Sequence, residues 1–168
     1  MNEVLQLAIK RICAYLVDYV LIAILVGVLV GINIYVLGLE LSPTENMRSK
    51  LTGHVIGFST LTVPVWLYFT LMESTKQGAT LGKKVMSLAV QRSKDSRQLT
   101  LTESALRSAA KLAPWEIAHI AIWYVPERPF VDPMPILNLT VSTLALITAL
   151  FYVFSLFVNS GQTLYDKV

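Results

Sequence analysis

Two groups of ionisable residues fall inside long apolar stretches of this sequence, a setting in which such side chains are costly and usually tied to function. Asp18 lies within the run from Ile12 to Gly38. Holding its charge in hydrocarbon costs roughly 2.5–3.5 kcal/mol on insertion scales, so it needs a partner or water. Arg11 precedes it by two helical turns, about 10 Å along a helix axis, and could meet it only by reaching inwards. One reading makes Asp18 a carboxylate that exchanges protons or cations; the other makes it half of a structural ion pair that locks the first helix against the third. Glu116 and His119 are spaced i and i+3, hence on one helix face. Counted inwards from Lys111, they share one layer with Asp18. They suit a buried hydrogen-bonded cluster, and His119 could relay protons. A Glu-x-x-His pair is also half of a metal site in helical bundles, but the sequence carries a single copy, so no metal is expected.

The elements that must hold these groups are membrane helices. Hydrophobic residues make up 54% of the 168 positions and charged ones 15%, against roughly 25% charged in a soluble domain. Four segments are expected to cross: about 12–38, 54–72, 104–126 with a kink at Pro114, and 136–158, each judged against the roughly 20 residues that a span requires. The third is the weakest, because its apolar core is short and needs Arg107 and Lys111 to snorkel to the headgroups. Without it the bundle has three spans. The first run is too long for a signal-peptide core and is read as a retained helix. In the second, Ser59, Thr60, Thr62 and Pro64 suggest a kinked or locally unwound stretch, or polar residues that satisfy one another.

Lys and Arg residues set the orientation. Eleven lie in the tails and in the region between spans two and three, and three lie on the opposite side. The positive-inside rule therefore puts both termini in the cytoplasm. The cytoplasmic region 73–103 is expected to form a small β-hairpin, with Met86–Gln91 and Arg97–Leu101 paired about a turn at Ser93–Ser96, or else a solvated loop whose lysines meet anionic lipid heads. Thr102 and Glu103 are read as opening the third span. Ala23, Gly27 and Gly31 form a small-residue face for close helix packing, expected within the chain. Cys13 stands alone and supports no disulfide. The sequence contains no Walker loop, G-x-S-x-G, H-E-x-x-H or paired-cysteine spacing, so the chain is expected to be no enzyme and to need no cofactor. A lipid-acting enzyme, resting on Glu116 and His119 alone, is the weakest alternative.

Two stretches echo one another. Gly78-Ala79-Thr80-Leu81-Gly82-Lys83-Lys84-Val85 and Gly161-Gln162-Thr163-Leu164-Tyr165-Asp166-Lys167-Val168 both read G-x-T-L-x-x-K-V. Each follows the second helix of a hairpin, which suggests a two-helix unit duplicated in parallel about an axis along the membrane normal.

The run Arg11-Ile12-Cys13-Ala14-Tyr15-Leu16-Val17-Asp18, the Thr80-Leu81-Gly82-Lys83 segment with Leu88 and Val90, the stretch Leu99–Arg107 and the terminal Thr163-Leu164-Tyr165-Asp166-Lys167 together resemble the RDD family of bacterial membrane proteins. Tyr165 stands where that family usually has histidine. The resemblance implies an all-α, four-helix membrane domain over residues 1–168 in the bacterial inner membrane, with Arg11, Asp18 and Asp166 as the named arginine and aspartates. It implies a link to transport, some members being described as cation/proton antiporters. The leading expectation is a small transporter exchanging monovalent cations for protons through Asp18, with Glu116, His119 and Arg107 as secondary participants and a homodimer as a plausible assembly. The alternative is a membrane adaptor that uses Lys83 and Lys84 to bind a partner protein or anionic lipid. Nucleic acid is not an expected partner.

Overall fold

A computed structural model describes residues 3–35, 47–92, 95–124, 133–158 and 163–166. The far ends of two expected spans (36–38 and 125–126), the Ser93–Lys94 start of the expected turn, and Gly161 and Lys167 lie outside them. The chain forms helix α1 (Glu3–Tyr35), α2 (Met47–Gly57), a π-helical segment (Phe58–Thr62), α3 (Val63–Ser74), the short α4 (Leu81–Val85), α5 (Leu101–Trp123), α6 (Ile136–Val158) and a 3₁₀ turn (Leu164–Asp166). Helices α3 and α5 pack together, as do α5 and α6; α4 lies on α1, and the terminal turn lies on α5.

The solvation pattern is inverted relative to a soluble bundle. Leu16, Val20, Ile24, Val28, Leu137, Leu144, Ile147, Leu150 and Phe154 point outwards, while Asp18, Thr70, Glu73, Lys83, Ser104, Arg107 and Ser108 are buried. Such a surface is stable only against an apolar solvent. Among the described residues three helical stretches are long and apolar enough to cross a bilayer: Glu3–Ile32 with mean hydropathy 2.5, Lys50–Ser74 with 1.6, and Ile136–Val158 with 2.2. The protein is therefore a helical membrane protein. The fourth expected span, within α5, is not among them, because its charged residues lower its hydropathy.

The second stretch contains the irregularity expected at Ser59–Pro64. Pro64 has no N–H to give the carbonyl of Thr60, and the chain answers by shifting register. The Val63 amide reaches back five residues to the Phe58 carbonyl, the π geometry that often marks functional sites. Pro114 poses the same problem inside α5, which continues through it as one helix. Here the carbonyl of Ala110, left without its helical donor, accepts from the Tyr152 hydroxyl of α6 at 3.2 Å. Interhelical polar bonds recur elsewhere: Trp66 Nε1 donates to the Ala105 carbonyl at 3.0 Å and the Ser104 hydroxyl to the Thr70 carbonyl at 2.8 Å.

The expected β-hairpin does not form: among the described residues no strand is present. Two backbone bonds close the turn, from Arg92 N to the Arg97 carbonyl at 2.8 Å and from Ser96 N to the Arg92 carbonyl at 2.9 Å. The segment before it turns instead to Gly78, whose carbonyl accepts from Val90 N at 2.7 Å. Gly78 has φ +57°, and a Cβ there would stand 2.7 Å from the Val90 carbonyl oxygen, so only glycine fits. Helix α5 opens one residue before the expected Thr102. Thr100 and Glu103 form a capping box: the Thr100 hydroxyl accepts from Glu103 N at 3.3 Å, and the Glu103 carboxylate accepts from Thr100 N at 2.9 Å.

The small-residue face of α1 is likewise not used as expected. Gly27 and Gly31 face open space, with nothing within 4 Å of a Cβ built on either. Close packing occurs at Gly82, where a Cβ would overlap the Ala14 carbonyl oxygen. Gly82→Ala should accordingly lower the stability of the detergent-solubilised protein by about 3 kcal/mol, as overpacking against rigid backbone does. Gly27→Ala should leave it unchanged or raise it by up to about 1 kcal/mol. Unfolding by SDS titration in mixed micelles reads both, and equal midpoints for the two variants would contradict the packing described.

Candidate functional site: a buried charge network around Asp18 and Arg107

Asp18 is fully buried, and the donors that reach it are neutral. Tyr68 on α3 gives its hydroxyl proton to Oδ1 at 2.8 Å. The Thr80 hydroxyl donates to Oδ2 at 2.6 Å, and Gly82 N donates to Oδ1 at 2.8 Å. The chain thus uses the start of α4 as a clamp on the carboxylate. Thr80 is its N-cap, accepting from Lys83 N at 3.3 Å while donating to Asp18. Gly82 lets the backbone come close enough for its N–H to reach. Tyr68 completes the ring by accepting from Leu81 N at 3.1 Å. The expected pair between Arg11 and Asp18 is not the arrangement seen, since Arg11 ion-pairs with Asp166 at 3.1 Å. The two helical turns between Arg11 and Asp18 outrun the side chain, whereas the terminal turn comes to it.

Beside this clamp runs a chain of alternating charges. Arg11 pairs with Asp166; Asp166 pairs with Arg107, whose Nε lies 3.1 Å from Oδ1 and whose Nη2 contacts the same oxygen. The other arm of Arg107 binds Glu73, which also holds the Lys83 ammonium at 2.5 Å. Five elements meet here: α1, α3, α4, α5 and the terminal turn. Asp166 is fixed further by Thr163 N at 2.9 Å, and the Tyr165 ring lies under Arg107 with 5.2 Å from guanidinium carbon to ring centroid. The Tyr165 hydroxyl is 2.5 Å from that of Tyr15, so tyrosine supplies the polar group at the position where histidine is usual in the resembling family. Burial opposes the charge on Asp166, but Arg107, the Thr163 amide and Arg11 outweigh it and hold the carboxyl below its usual range.

Several expectations fail on burial. Lys83 is 5% exposed and engaged with Glu73, so it cannot present itself to lipid heads or a partner; Lys84 beside it is exposed. Arg107 and Lys111 do not snorkel outwards but turn inwards. The Lys111 Nζ stands 3.1 Å from the centroid of the Phe69 ring and 3.7 Å from Glu73. The common layer of Asp18, Glu116 and His119 also dissolves. Glu116 accepts from Thr62, the last residue of the π segment, at 3.0 Å and lies 3.7 Å from His119 Nδ1. Asp18 instead joins Tyr68, six residues further along that helix. Counting depth from Lys111 misplaces the layer because Lys111 is itself interior. The second cluster draws in His54 of α2, whose Nδ1 is 3.4 Å from the Tyr124 hydroxyl and whose ring centroid is 6.4 Å from that of His119. Among the described residues no group of three or more His, Cys, Asp or Glu is placed to hold a metal ion.

Sequence does not single out Glu73, Tyr68, Tyr15 or Lys111 as members of this site. Glu73 lies one residue beyond the expected span 54–72, where an acidic residue reads as a solvated helix end. The available signal is its place facing a region rich in Lys and Arg.

The network makes two measurable demands. Arg107→Lys keeps the charge but cannot reproduce a fork that binds two carboxylates at once, and should be less stable than the wild type; Arg107→Met, which removes the cation from both, should cost about 3–5 kcal/mol, the usual penalty for breaking a buried pair. Asp166 has a folded pKa below its unfolded value, so its contribution is complete above the ordinary aspartate value of about 3.9 and is lost as pH falls through the lower folded value. The stability difference between the wild type and Asp166→Asn, followed by SDS unfolding, should therefore stay constant from pH 7 down to about 4 and shrink below it.

No curated protein and no solved structure matches the chain. The family model described as the RDD family matches residues 6–168, a range that takes in α1 with Arg11 and Asp18, the α4 clamp, and the terminal turn with Asp166. On that match, this chain belongs to the RDD family.

Proposed function

We propose that the protein is a small four-span transporter that exchanges a monovalent cation for protons at Asp18. The observation that carries this reading is the asymmetry among the buried carboxylates. Glu73 and Asp166 are each bound by cationic side chains, whereas Asp18 is answered by two hydroxyls and an amide. Three such bonds stabilise a carboxylate without cancelling its charge. With no cationic side chain among the described residues in direct contact, the carboxylate is open to a proton or a small cation, and the Thr80 and Tyr68 oxygens supply hard ligands beside it. An apolar crevice of about 160 Å³ between α1 and α3, lined by Leu21, Ile22, Leu25, Val65, Tyr68 and Leu81, abuts Tyr68.

The fourth span is supported by the face that α5 presents outwards. Leu106, Trp115 and Ile120 are exposed, while Ser104, Arg107, Ser108 and Pro114 are buried. A helix with its polar side inwards and its apolar side outwards suits lipid whatever its average hydropathy. With α5 crossing, both termini and α4 share the cytoplasmic side that the Lys and Arg bias selects. Four helices enclose little volume, so a homodimer is the expected working unit. The adaptor alternative is weakened by the loss of Lys83 to Glu73. No enzymatic role is proposed.

Everted vesicles carrying the protein should release protons on addition of sodium, lithium or potassium, and Asp18→Asn should reduce that response at least tenfold while the purified variant stays monodisperse. Full activity in Asp18→Asn would remove Asp18 from the mechanism, and an inert wild type would remove transport itself. Cysteines placed singly at Lys84 and Lys167 in a Cys13→Ser background should react with an impermeant maleimide from the cytoplasmic side only. Opposite reactivity at the two sites would reduce the spans to three.

A further inference from the structure

We infer that Lys111 is the proton-carrying group of this site, held as the free amine in the resting fold. Nζ is buried, makes no hydrogen bond among the described residues, and rests on the Phe69 ring. The nearest carboxylate oxygen, on Glu73, is 3.7 Å away and already takes the Lys83 ammonium at 2.5 Å. An ammonium is a strongly hydrated cation with three protons to place; this position offers it the ring faces of Phe69 and, at 5.3 Å, Tyr15 of α1, and the Glu73 oxygen at 3.7 Å, but no acceptor at hydrogen-bond distance among the described residues.

Charge balance points the same way. Besides the neutral tyrosines Tyr15, Tyr68 and Tyr165, the described charged groups of the cluster are the carboxylates of Asp18, Glu73 and Asp166 and the cations Arg11, Lys83 and Arg107. These six cancel, and a charged Lys111 would add one uncompensated positive charge in a low-dielectric interior. The neutral cluster can take one further positive charge in either of two ways. Nζ can use its lone pair to take a proton from a hydronium ion of the cytoplasmic water, an N–H bond forming as the O–H bond breaks and a water molecule is left, and the resulting ammonium is drawn to Glu73. A monovalent cation can instead settle against Asp18. Phe69 lies under Nζ, its ring centroid is 5.3 Å from that of Tyr68, which holds Asp18, and Asp18 acts electrostatically on Lys111, so a positive charge at one position opposes a second at the other. Competition between one proton and one cation for a single charge is what obligatory exchange requires. This inference rests on the transport reading and assigns its proton arm.

The test has an arm independent of transport. If Lys111 is a free amine when folded and an ammonium when unfolded, the unfolded state binds one more proton at neutral pH, and stability rises with pH. The unfolding equilibrium of the purified wild type, relative to Lys111→Met, should shift by about tenfold per pH unit towards the folded state across the upper part of the range pH 7–10. Lys111→Met leaves the six balanced charges intact and should fold; Lys111→Arg, permanently charged, should be less stable at every pH and show no such slope. Parallel pH profiles for wild type and Lys111→Met, or a Lys111→Met that fails to fold while Lys111→Arg folds, would overturn the inference by showing that an ammonium is required there. In vesicles, Lys111→Met should lose cation-driven proton release. If it retains the wild-type pH profile, the proton arm is elsewhere and the transport reading stands. If the slope is present but wild-type vesicles are inert, transport falls and the protonation of Lys111 stands.

Discussion

Charge cannot be left unanswered in a medium without water, and in this protein the guanidinium of Arg107 answers most of it. One arm binds Glu73 at the end of α3, and the other binds Asp166 in the turn after α6. Arg11 and Lys83 extend the same chain to α1 and α4. A planar fork is suited to this because it fixes two carboxylates in one plane and cannot shed its proton. Lipid-solvated helices gain little from burying apolar surface against one another, so polar contacts and close packing set their arrangement. The bundle is accordingly organised around ions and hydroxyls, with leucine, valine and phenylalanine facing outwards.

The α4 clamp concentrates several of these contacts in one short turn. The Thr80 hydroxyl and the Gly82 amide hold Asp18, while the Lys83 ammonium holds Glu73. The terminal turn repeats the design with Thr163 and Asp166, the amide of the former holding the carboxylate of the latter. Both threonines are fully buried. The first turn lies on α1 and the second on α5, and α3 meets α5 as α6 meets α1, an arrangement in keeping with a duplicated hairpin.

Much of this is legible in the sequence, for reasons that differ by element. Helix α6 runs over Ile136–Val158 as its apolar run implies, because a span with no Asp, Glu, Lys, Arg or His has an unambiguous hydropathy signal. The break at Ser59–Pro64 is legible because a missing N–H has a local consequence. Asp18 stands out because it is alone among apolar neighbours. Lys83, Arg107 and Lys111 read as facing headgroups because sequence gives the depth of a residue but not its azimuth. In a helix near the membrane surface, an inward turn and an outward snorkel have the same pattern. Glu73 escapes notice for a related reason: its partners come from α4 and α5, and no local spacing records them. The hairpin fails because extended residues near Gly78 find their bond partner in that turn instead of in a second strand.

The position of Asp166 after α6 bears on how the protein is made. Arg11 and Arg107 enter the membrane long before the residue that neutralises both has been synthesised. Until the terminal turn emerges, Arg107 has Glu73 but not Asp166, and the tie from Arg11 of α1 through Asp166 to Arg107 of α5 is unmade. Insertion of the helices and closure of the bundle are thus separate events in time, and closure waits on a side chain that leaves the ribosome after every helix it joins. A nascent chain halted just after α6 would hold its spans in the bilayer with the latch still open, a state that a membrane protease could distinguish from the finished protein.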